Sequence, residues 1–131
     1  MAEKQVLNLE NFSSPKAVFE QLMAALNRHD IEAMVGLFAE DFSSEQPLHP
    51  QRAFTGPTGV RQNWTMFFKL VPDMQARLLN EVEDGEVVWA ELHFYGTQAD
   101  GKKYSAWGVN ILGIKNGQIK WGRIYTEPVS D

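Results

Sequence analysis

The fold class is decided by residues 84–117, which read DGEVVWAELHFYGTQADGKKYSAWGVNILGIKNG. Three hairpin-turn dipeptides occur in this stretch, each sixteen residues after the last: Asp84-Gly85, Asp100-Gly101 and Asn116-Gly117. Such dipeptides connect antiparallel strands, and the runs between them are rich in β-branched and aromatic residues. The stretch therefore predicts four antiparallel strands, over about 74–83, 86–97, 103–115 and 118–127.

Three helices are predicted before this meander, because apolar residues recur there at helical spacing. Pro15 suits a first helical position, which needs no amide donor, and Asp30 is able to cap a second helix. The helices are expected over 15–28, 31–40 and 57–70, with a short strand and a loop over 42–55. Helices followed by a meander are an α+β pattern, in which the helices pack on one face of the sheet.

Length and composition limit the class of protein. The 131 residues fit one domain, with residues 1–13 as an N-terminal extension. The chain has no cysteine, so disulfides and thiolate catalysis are excluded. Its net charge of −5 and its scattered basic residues do not favour nucleic acid as a partner.

Targeting, membrane and metal signals are absent from the sequence. No apolar run has the length of a signal-peptide core or a membrane span, so we expect no membrane partner and a cytoplasmic protein. No cofactor is predicted. The three histidines, His29, His49 and His93, lack the close spacing of metal ligands.

Two segments connect the chain with a known superfamily. Residues 29–42, HDIEAMVGLFAEDF, and residues 117–127, GQIKWGRIYTE, resemble the second helix and the last strand of ketosteroid isomerases and SnoaL-like polyketide cyclases. These proteins belong to the nuclear transport factor 2-like superfamily. The resemblance implies a cystatin-like roll, in which three helices pack on a curved, mostly antiparallel sheet that forms a cone around an apolar pocket. It also implies a small apolar organic ligand and a homodimer through the outward sheet face.

The catalytic residues of two related enzyme classes are mostly missing. By resemblance to the ketosteroid isomerases, the general base falls at Gln46, an amide that cannot accept a proton at neutral pH. The oxyanion-binding aspartate falls at Asn110, which is still able to donate a hydrogen bond. The triad of limonene epoxide hydrolases falls at Glu91, His93 and Ile124. Neither of these activities is therefore expected in its known form.

Period-two alternation divides each strand between two faces. On the strand 86–97, the resemblance assigns Trp89, Glu91, His93 and Tyr95 to the pocket. The predicted lining is apolar at Leu22, Leu26, Trp64, Trp89 and Ile124, and polar at Gln46, Glu91, His93 and Asn110, with His49 near the mouth. The outward face, and with it the homodimer contact, is expected to carry Leu92, Phe94, Trp107, Val109, Ile111, Trp121 and Tyr125.

Two functions remain open from the sequence. The first is a small-molecule enzyme in which Glu91 and His93 move protons and Asn110 polarises a substrate oxygen. The second is a non-catalytic ligand-binding or dimerisation module. Glu91 would then be the partner of an arginine such as Arg52 or Arg77, and His93 a core histidine.

Overall fold

The computed structural model describes residues 14–130. In that part of the chain the helices are α1 (Pro15–Asn27), α2 (Ile31–Val35) and α3 (Gly56–Leu70), with a short 3-10 helix at Pro50–Arg52. The strands are β1 (Phe38–Glu45), β2 (Phe54–Thr55), β3 (Gln75–Asp84), β4 (Val87–Thr97), β5 (Lys103–Lys115), β6 (Gln118–Ile124) and β7 (Glu127–Pro128). The predicted extension over residues 1–13 lies outside the described residues.

The strands form one mixed sheet in the order β2-β1-β6-β5-β4-β3, with β7 beside β5. Strands β3 to β6 form an antiparallel meander, and β1 runs parallel to β6. The predicted α+β class and the predicted meander are confirmed. The last predicted strand is interrupted after Ile124 and resumes as β7.

Helix α1 begins where the sequence predicts. Ser14 accepts a hydrogen bond on its Oγ from the amide of Ala17 at 3.2 Å, which caps the first turn. That turn also donates a backbone hydrogen bond to Glu83 near the end of β3. At the other end of the helix, the Asn27 side chain bonds to the backbone of Ala76 near the start of β3. The helix therefore runs antiparallel along β3 and covers one face of the sheet.

The second helix is shorter than predicted. Helix α2 ends at Val35 and β1 begins at Phe38, so the prediction of a helix through Glu40 is wrong. Phe38 pairs instead with Ile119 of β6, and Phe42 is buried farther along the same strand. Pairing with a strand so distant in sequence overrides local helical periodicity.

The two faces of the sheet have different surroundings. Helices α1 and α3 pack on one face, which we call the covered face and which carries the main apolar core. We call the opposite side the open face. Its large side chains include Trp89 and Trp107, which are 47% and 44% exposed.

Candidate functional site

Strand β4 carries two of the three predicted catalytic residues, and its alternate residues differ sharply in burial. Val88, Ala90, Leu92 and Phe94 are at most 8% exposed and belong to the core on the covered face. Trp89 and Glu91 are exposed, and His93 and Tyr95 are half-buried, all on the open face. The prediction that the second set lines the pocket while Leu92 and Phe94 face outward is therefore wrong.

The register between β4 and β5 explains this error. Directly opposed residues of an antiparallel pair lie on the same face. Ala90 is opposite Asn110, and Glu91 is opposite Val109. The predicted assignment put Asn110 inside and Ala90 outside, which this register forbids. Asn110 lies on the covered face as predicted, so the sheet separates it from Glu91 and His93.

Asn110 is a buried polar group on the covered face, only 8% exposed. Its Oδ1 accepts a hydrogen bond from the amide of Tyr125 at 3.1 Å, which orients the side chain. Among residues 14–130, the buried side-chain atoms without a hydrogen-bond partner belong to Glu81 and His93, so the Asn110 Nδ2 is not a sealed, unpaired donor. Asn110 therefore presents an oriented amide on a mainly apolar face, which also carries the buried Glu81 carboxylate.

Gly108 permits the chain crossing that orients Asn110. Its φ is +153°, and a Cβ at this position would lie 2.5 Å from the Tyr125 carbonyl oxygen. Only glycine allows the backbone after β6 to approach β5 so closely. This approach brings the Tyr125 amide to the Asn110 side chain.

Four predicted ligand-binding residues belong to elements of the covered face. Leu22 and Leu26 of α1 are buried in the core, and Trp64 of α3 is half-buried and packs against it. Ile124 of β6 is half-buried directly opposite Asn110. With Leu26 only 2% exposed, the deep part of this face is filled by side chains, and the half-buried groups lie at its edge.

The predicted residues Gln46 and His49 lie in the loop after β1. The His49 amide donates to the Gln46 carbonyl at 2.7 Å, and the His49 Nε2 lies 2.7 Å from the Glu127 carboxylate on β7. This contact ties the loop to the C-terminal strand. Ligand binding by Gln46 and His49 stays a prediction.

The pKa of the Tyr104 phenol on β5 is raised. Its burial is the larger cause, and the nearby charge of Glu127 is the smaller one.

On the open face, His93 is held in place by contacts with Trp107 and Ser105. Its ring stacks on Trp107 with centroids 3.6 Å apart, and its Nε2 lies 2.9 Å from the Ser105 Oγ. Its Nδ1 is buried without a hydrogen-bond partner among the described residues. Burial first, and the Arg77 charge second, lower the pKa of His93. Neither ring nitrogen is thus open to a ligand in this arrangement.

Glu91 is exposed on the open face, where the Asn80 Nδ2 donates to its carboxylate at 3.4 Å. Within the described residues it forms no ion pair with Arg52 or Arg77, the two partners considered from the sequence. Glu91 is not buried in an apolar pocket, and no core residues pack over it. This environment does not prepare a carboxylate for proton transfer.

A cavity of about 1000 Å³ lies at the end of the sheet formed by the β4–β5 turn. We call it the hairpin cavity. Its walls come from the end of α3 and the loop after it, from β3, β4 and β5, and from the C-terminal segment. The side chains of Arg77, His93, Tyr95, Lys103 and Ser105 line its open-face side, and Leu70 and Tyr104 line the side toward the covered face. Of the residues predicted to line a pocket, His93 and Tyr95 border this cavity.

Among residues 14–130, no group of three or more histidine, aspartate or glutamate side chains is arranged to hold a metal ion. No helix in residues 14–130 has the length and apolar character required to cross a membrane.

Comparison with protein families adds independent information. Residues 19–121 match the SnoaL-like domain. The chain belongs to the SnoaL-like domain family. A search of curated proteins finds no significant match.

Solved structures share the fold of this SnoaL-like domain. IdmH from Streptomyces antibioticus, a proposed polyketide cyclase, has a TM-score of 0.75 at 19% identity, covering 86% of this chain and 91% of its own. A ketosteroid isomerase-like protein from Catenulispora acidiphila, solved with trimethylamine, has a TM-score of 0.73 at 15% identity, covering 82% and 83%. A cystatin-fold protein from Novosphingobium aromaticivorans has a TM-score of 0.70 at 18% identity, covering 84% and 96%. At these identities the likeness shows the fold alone.

Sequence reasoning missed one buried carboxylate in this SnoaL-like domain. The Glu81 side chain is 8% exposed on the covered face, 3.7 Å from Lys16, and its Oε2 has no hydrogen-bond partner in the described part of the chain. Burial raises the pKa of Glu81, as does the nearby Glu20, while Lys16 opposes them. A β-bulge at Leu79 shifts the register of β3, so that the Glu81 side chain lies on the covered face. The two adjacent leucines at 78–79 break the strict alternation of a strand, and this break in the sequence pattern indicates the bulge.

Proposed function

We propose that this SnoaL-like domain binds a small, largely apolar organic molecule at the edge of the covered face. The observation that carries this proposal is the Asn110 amide, which its hydrogen bond from the Tyr125 amide holds in place on a mainly apolar face. The Asn110 Nδ2 would donate to a carbonyl or ether oxygen of the ligand, and an apolar body would pack against the half-buried Ile124 directly opposite. Such a mixture of apolar walls and few fixed polar groups suits small-molecule recognition.

The geometry favours binding over acid–base catalysis by the predicted residues. Asn110 and the pair Glu91 and His93 lie on opposite faces, so one substrate cannot contact all three. The His93 nitrogens are bonded or sealed, and Glu91 lies in an exposed environment. Proton transfer by Glu91 and His93 remains a hypothesis, which requires a substrate on the open face.

A matched pair of probe ligands tests the proposed binding site. Fluorenone and fluorene have the same apolar body, but only fluorenone carries a carbonyl. We expect fluorenone to bind about tenfold more tightly, because a hydrogen bond from the Asn110 Nδ2 to its carbonyl contributes about 0.5–1.5 kcal/mol. Isothermal titration calorimetry measures both affinities.

Asn110→Leu supplies the control, because it keeps the approximate size of the side chain and removes the Nδ2 donor, while thermal unfolding checks that loss of the acceptor for the Tyr125 amide leaves the protein folded. It should abolish the preference for fluorenone while fluorene binds as before. Equal binding of both ligands to the unchanged protein would contradict the proposal. Native mass spectrometry of the purified protein would then search for retained ligands without assuming their chemistry.

We also propose that the protein forms a homodimer through the open face, in the cytoplasm. The supporting observation is an apolar area that the described helices leave uncovered. Its exposed or half-buried members are Val82, Trp89, Trp107, Val109, Trp121 and Tyr125. They replace the predicted set, of which Leu92 and Phe94 lie on the covered face and Ile111 is only 8% exposed. Monomeric proteins rarely leave such an area in contact with water, and a symmetric two-fold contact is its commonest cover.

A further inference from the structure

We propose that the hairpin cavity is a second binding site, for a small planar aromatic carboxylate. The proposed ligand occupies the open-face side of this cavity, whereas the ligand proposed above lies on the covered face. The argument uses none of the residues proposed to bind that ligand, although Trp107 also belongs to the proposed homodimer contact. The two ligand sites are therefore tested separately.

Three successive rungs of the sheet build the floor of this site. Lys103 is opposite Thr97, Ser105 is opposite Tyr95, and His93 is between Trp107 and Arg77. Because opposed residues share a face, all of these side chains project from the open face. Arg77 on β3 and Lys103 on β5 thereby flank a central strip of rings on β4.

The rings of His93, Tyr95 and Trp107, which we call the ring strip, are held by packing and hydrogen bonds. His93 stacks on Trp107 at an interplanar angle of 11°, and the Tyr95 ring lies 5.2 Å from His93 at an interplanar angle of 34°. The Trp107 Nε1 donates to the Ser105 Oγ at 3.0 Å, and the same oxygen contacts His93. A fixed aromatic surface of this kind favours a planar ring ligand, which stacks at an offset or packs edge to face.

The charge of the hairpin cavity differs from that of the whole chain. The chain carries a net charge of −5, yet Arg77, Lys102 and Lys103 line the cavity, and none of them forms an ion pair within the described residues. The acidic residue on the cavity wall, Asp73, accepts the Thr97 amide on its Oδ1 at 2.6 Å. The residues that line the cavity therefore carry a net positive charge, which favours an anionic ligand.

The position and shape of the Arg77 guanidinium favour a carboxylate over other anions. This guanidinium lies 5.5 Å from the centre of the Tyr95 ring, so an aromatic acid stacked on the ring strip would place its carboxylate beside it. The planar guanidinium fork matches a carboxylate in a bidentate hydrogen bond. His93 stays neutral near pH 7, because burial and Arg77 lower its pKa, so the net positive charge comes from the arginine and the lysines.

The site is tested with 2-naphthoate as the probe and 2-naphthamide as its uncharged match, by isothermal titration calorimetry. We expect 2-naphthoate to bind at least about tenfold more tightly than the amide, and Arg77→Gln to remove most of this difference. Arg123→Gln is the matched control, since Arg123 also lies over an aromatic ring of the open face, at 5.0 Å from Trp121, but outside the cavity. It should leave the affinity within about twofold.

Location is tested by histidine ring resonances in NMR spectra, with His93→Gln used for assignment. The probe should shift the His93 signals and should not displace bound fluorenone. Equal binding of naphthoate and naphthamide, or equal loss of affinity in Arg77→Gln and Arg123→Gln, would overturn the proposal. Competition between naphthoate and fluorenone would also overturn it, because it would move the acid to the covered face.

Discussion

The covered and open faces of β4 are built from one continuous stretch of chain, yet they have opposite chemistry. Leu92, on the covered face, is 2% exposed in an aliphatic core, while its neighbour Glu91 is exposed beside Asn80. The open face also holds the stacked ring of His93 and the cation of Arg77. Alternation within one strand separates residues into two sets. It is the pairing with the next strand that decides which set is inside.

The largest difference between the faces should be in stability. Leu92→Ala removes a buried side chain and should lower the free energy of unfolding by about 2–5 kcal/mol. Trp89→Ala, three positions earlier on the open face, should cost less than about 1 kcal/mol in the monomer. Urea unfolding of both variants gives the comparison. A larger cost for Trp89→Ala would reverse the assignment of the faces.

Association should depend on the open face. Trp89→Asp places a charge in the proposed homodimer contact and should raise the dimer dissociation constant by at least about a hundredfold. Met66→Asp changes an exposed apolar residue of α3, which is 56% exposed, and should leave the dimer intact. Sedimentation velocity separates these outcomes. A wild-type monomer at micromolar concentration would rule out the homodimer.

The covered face should give the protein a pH-dependent stability through Glu81. The pKa of the Glu81 carboxyl is higher in the folded protein than in the unfolded chain. At a pH between these two pKa values, the folded protein therefore holds a proton that the unfolded chain has released. The contribution of this proton to the free energy of unfolding is complete below the ordinary pKa of a glutamate, and it is lost as the pH rises through the raised pKa of the folded protein. Glu81→Gln should therefore increase stability at pH 7 by roughly 1 kcal/mol, as expected for one unsatisfied buried polar group.

The difference between wild type and Glu81→Gln should shrink as the pH falls toward 4, as measured by thermal unfolding. Glu86→Gln, at an exposed position in the β3–β4 turn, provides the control and should change little at any pH. A constant difference across this range would show that the effect of Glu81→Gln does not come from its proton.

The smallest expected effect belongs to Glu91→Gln. Because Glu91 is exposed and keeps a hydrogen-bonding neighbour in Asn80, the amide should change the free energy of unfolding by less than about 0.5 kcal/mol. Fluorenone affinity should also stay within about twofold, since the ligand is proposed to bind on the other face. If any turnover is found and this variant abolishes it, the reaction takes place on the open face.

Local sequence signals predicted much of the fold. The Asp84-Gly85 and Asn116-Gly117 turns gave the meander, and Pro15 marked the start of α1. The second helix was overestimated because the pairing of Phe38 with Ile119 joins segments distant in the chain. Such pairing leaves no local periodic signal.

The candidate site was predicted less well, for two physical reasons. The resemblance predicts the correct face for Asn110 but the wrong face for Glu91 and His93, because the register between β4 and β5 decides the face and depends on pairing between strands. The hairpin cavity depends on residues of three strands and on the C-terminal segment. The role of Arg77 was therefore visible only after those strands were brought together.

The assignment of the two faces is tested most directly by cysteine reactivity, because the natural chain has no cysteine. Val88→Cys and Glu91→Cys introduce one thiol each, on the covered and the open face of the same strand. At a concentration where the protein sediments as a monomer, we expect Glu91→Cys to react with a maleimide at least about a hundredfold faster than Val88→Cys, whose thiol is reached only after local unfolding. Fast labelling of Val88→Cys together with protection of Glu91→Cys would contradict the account.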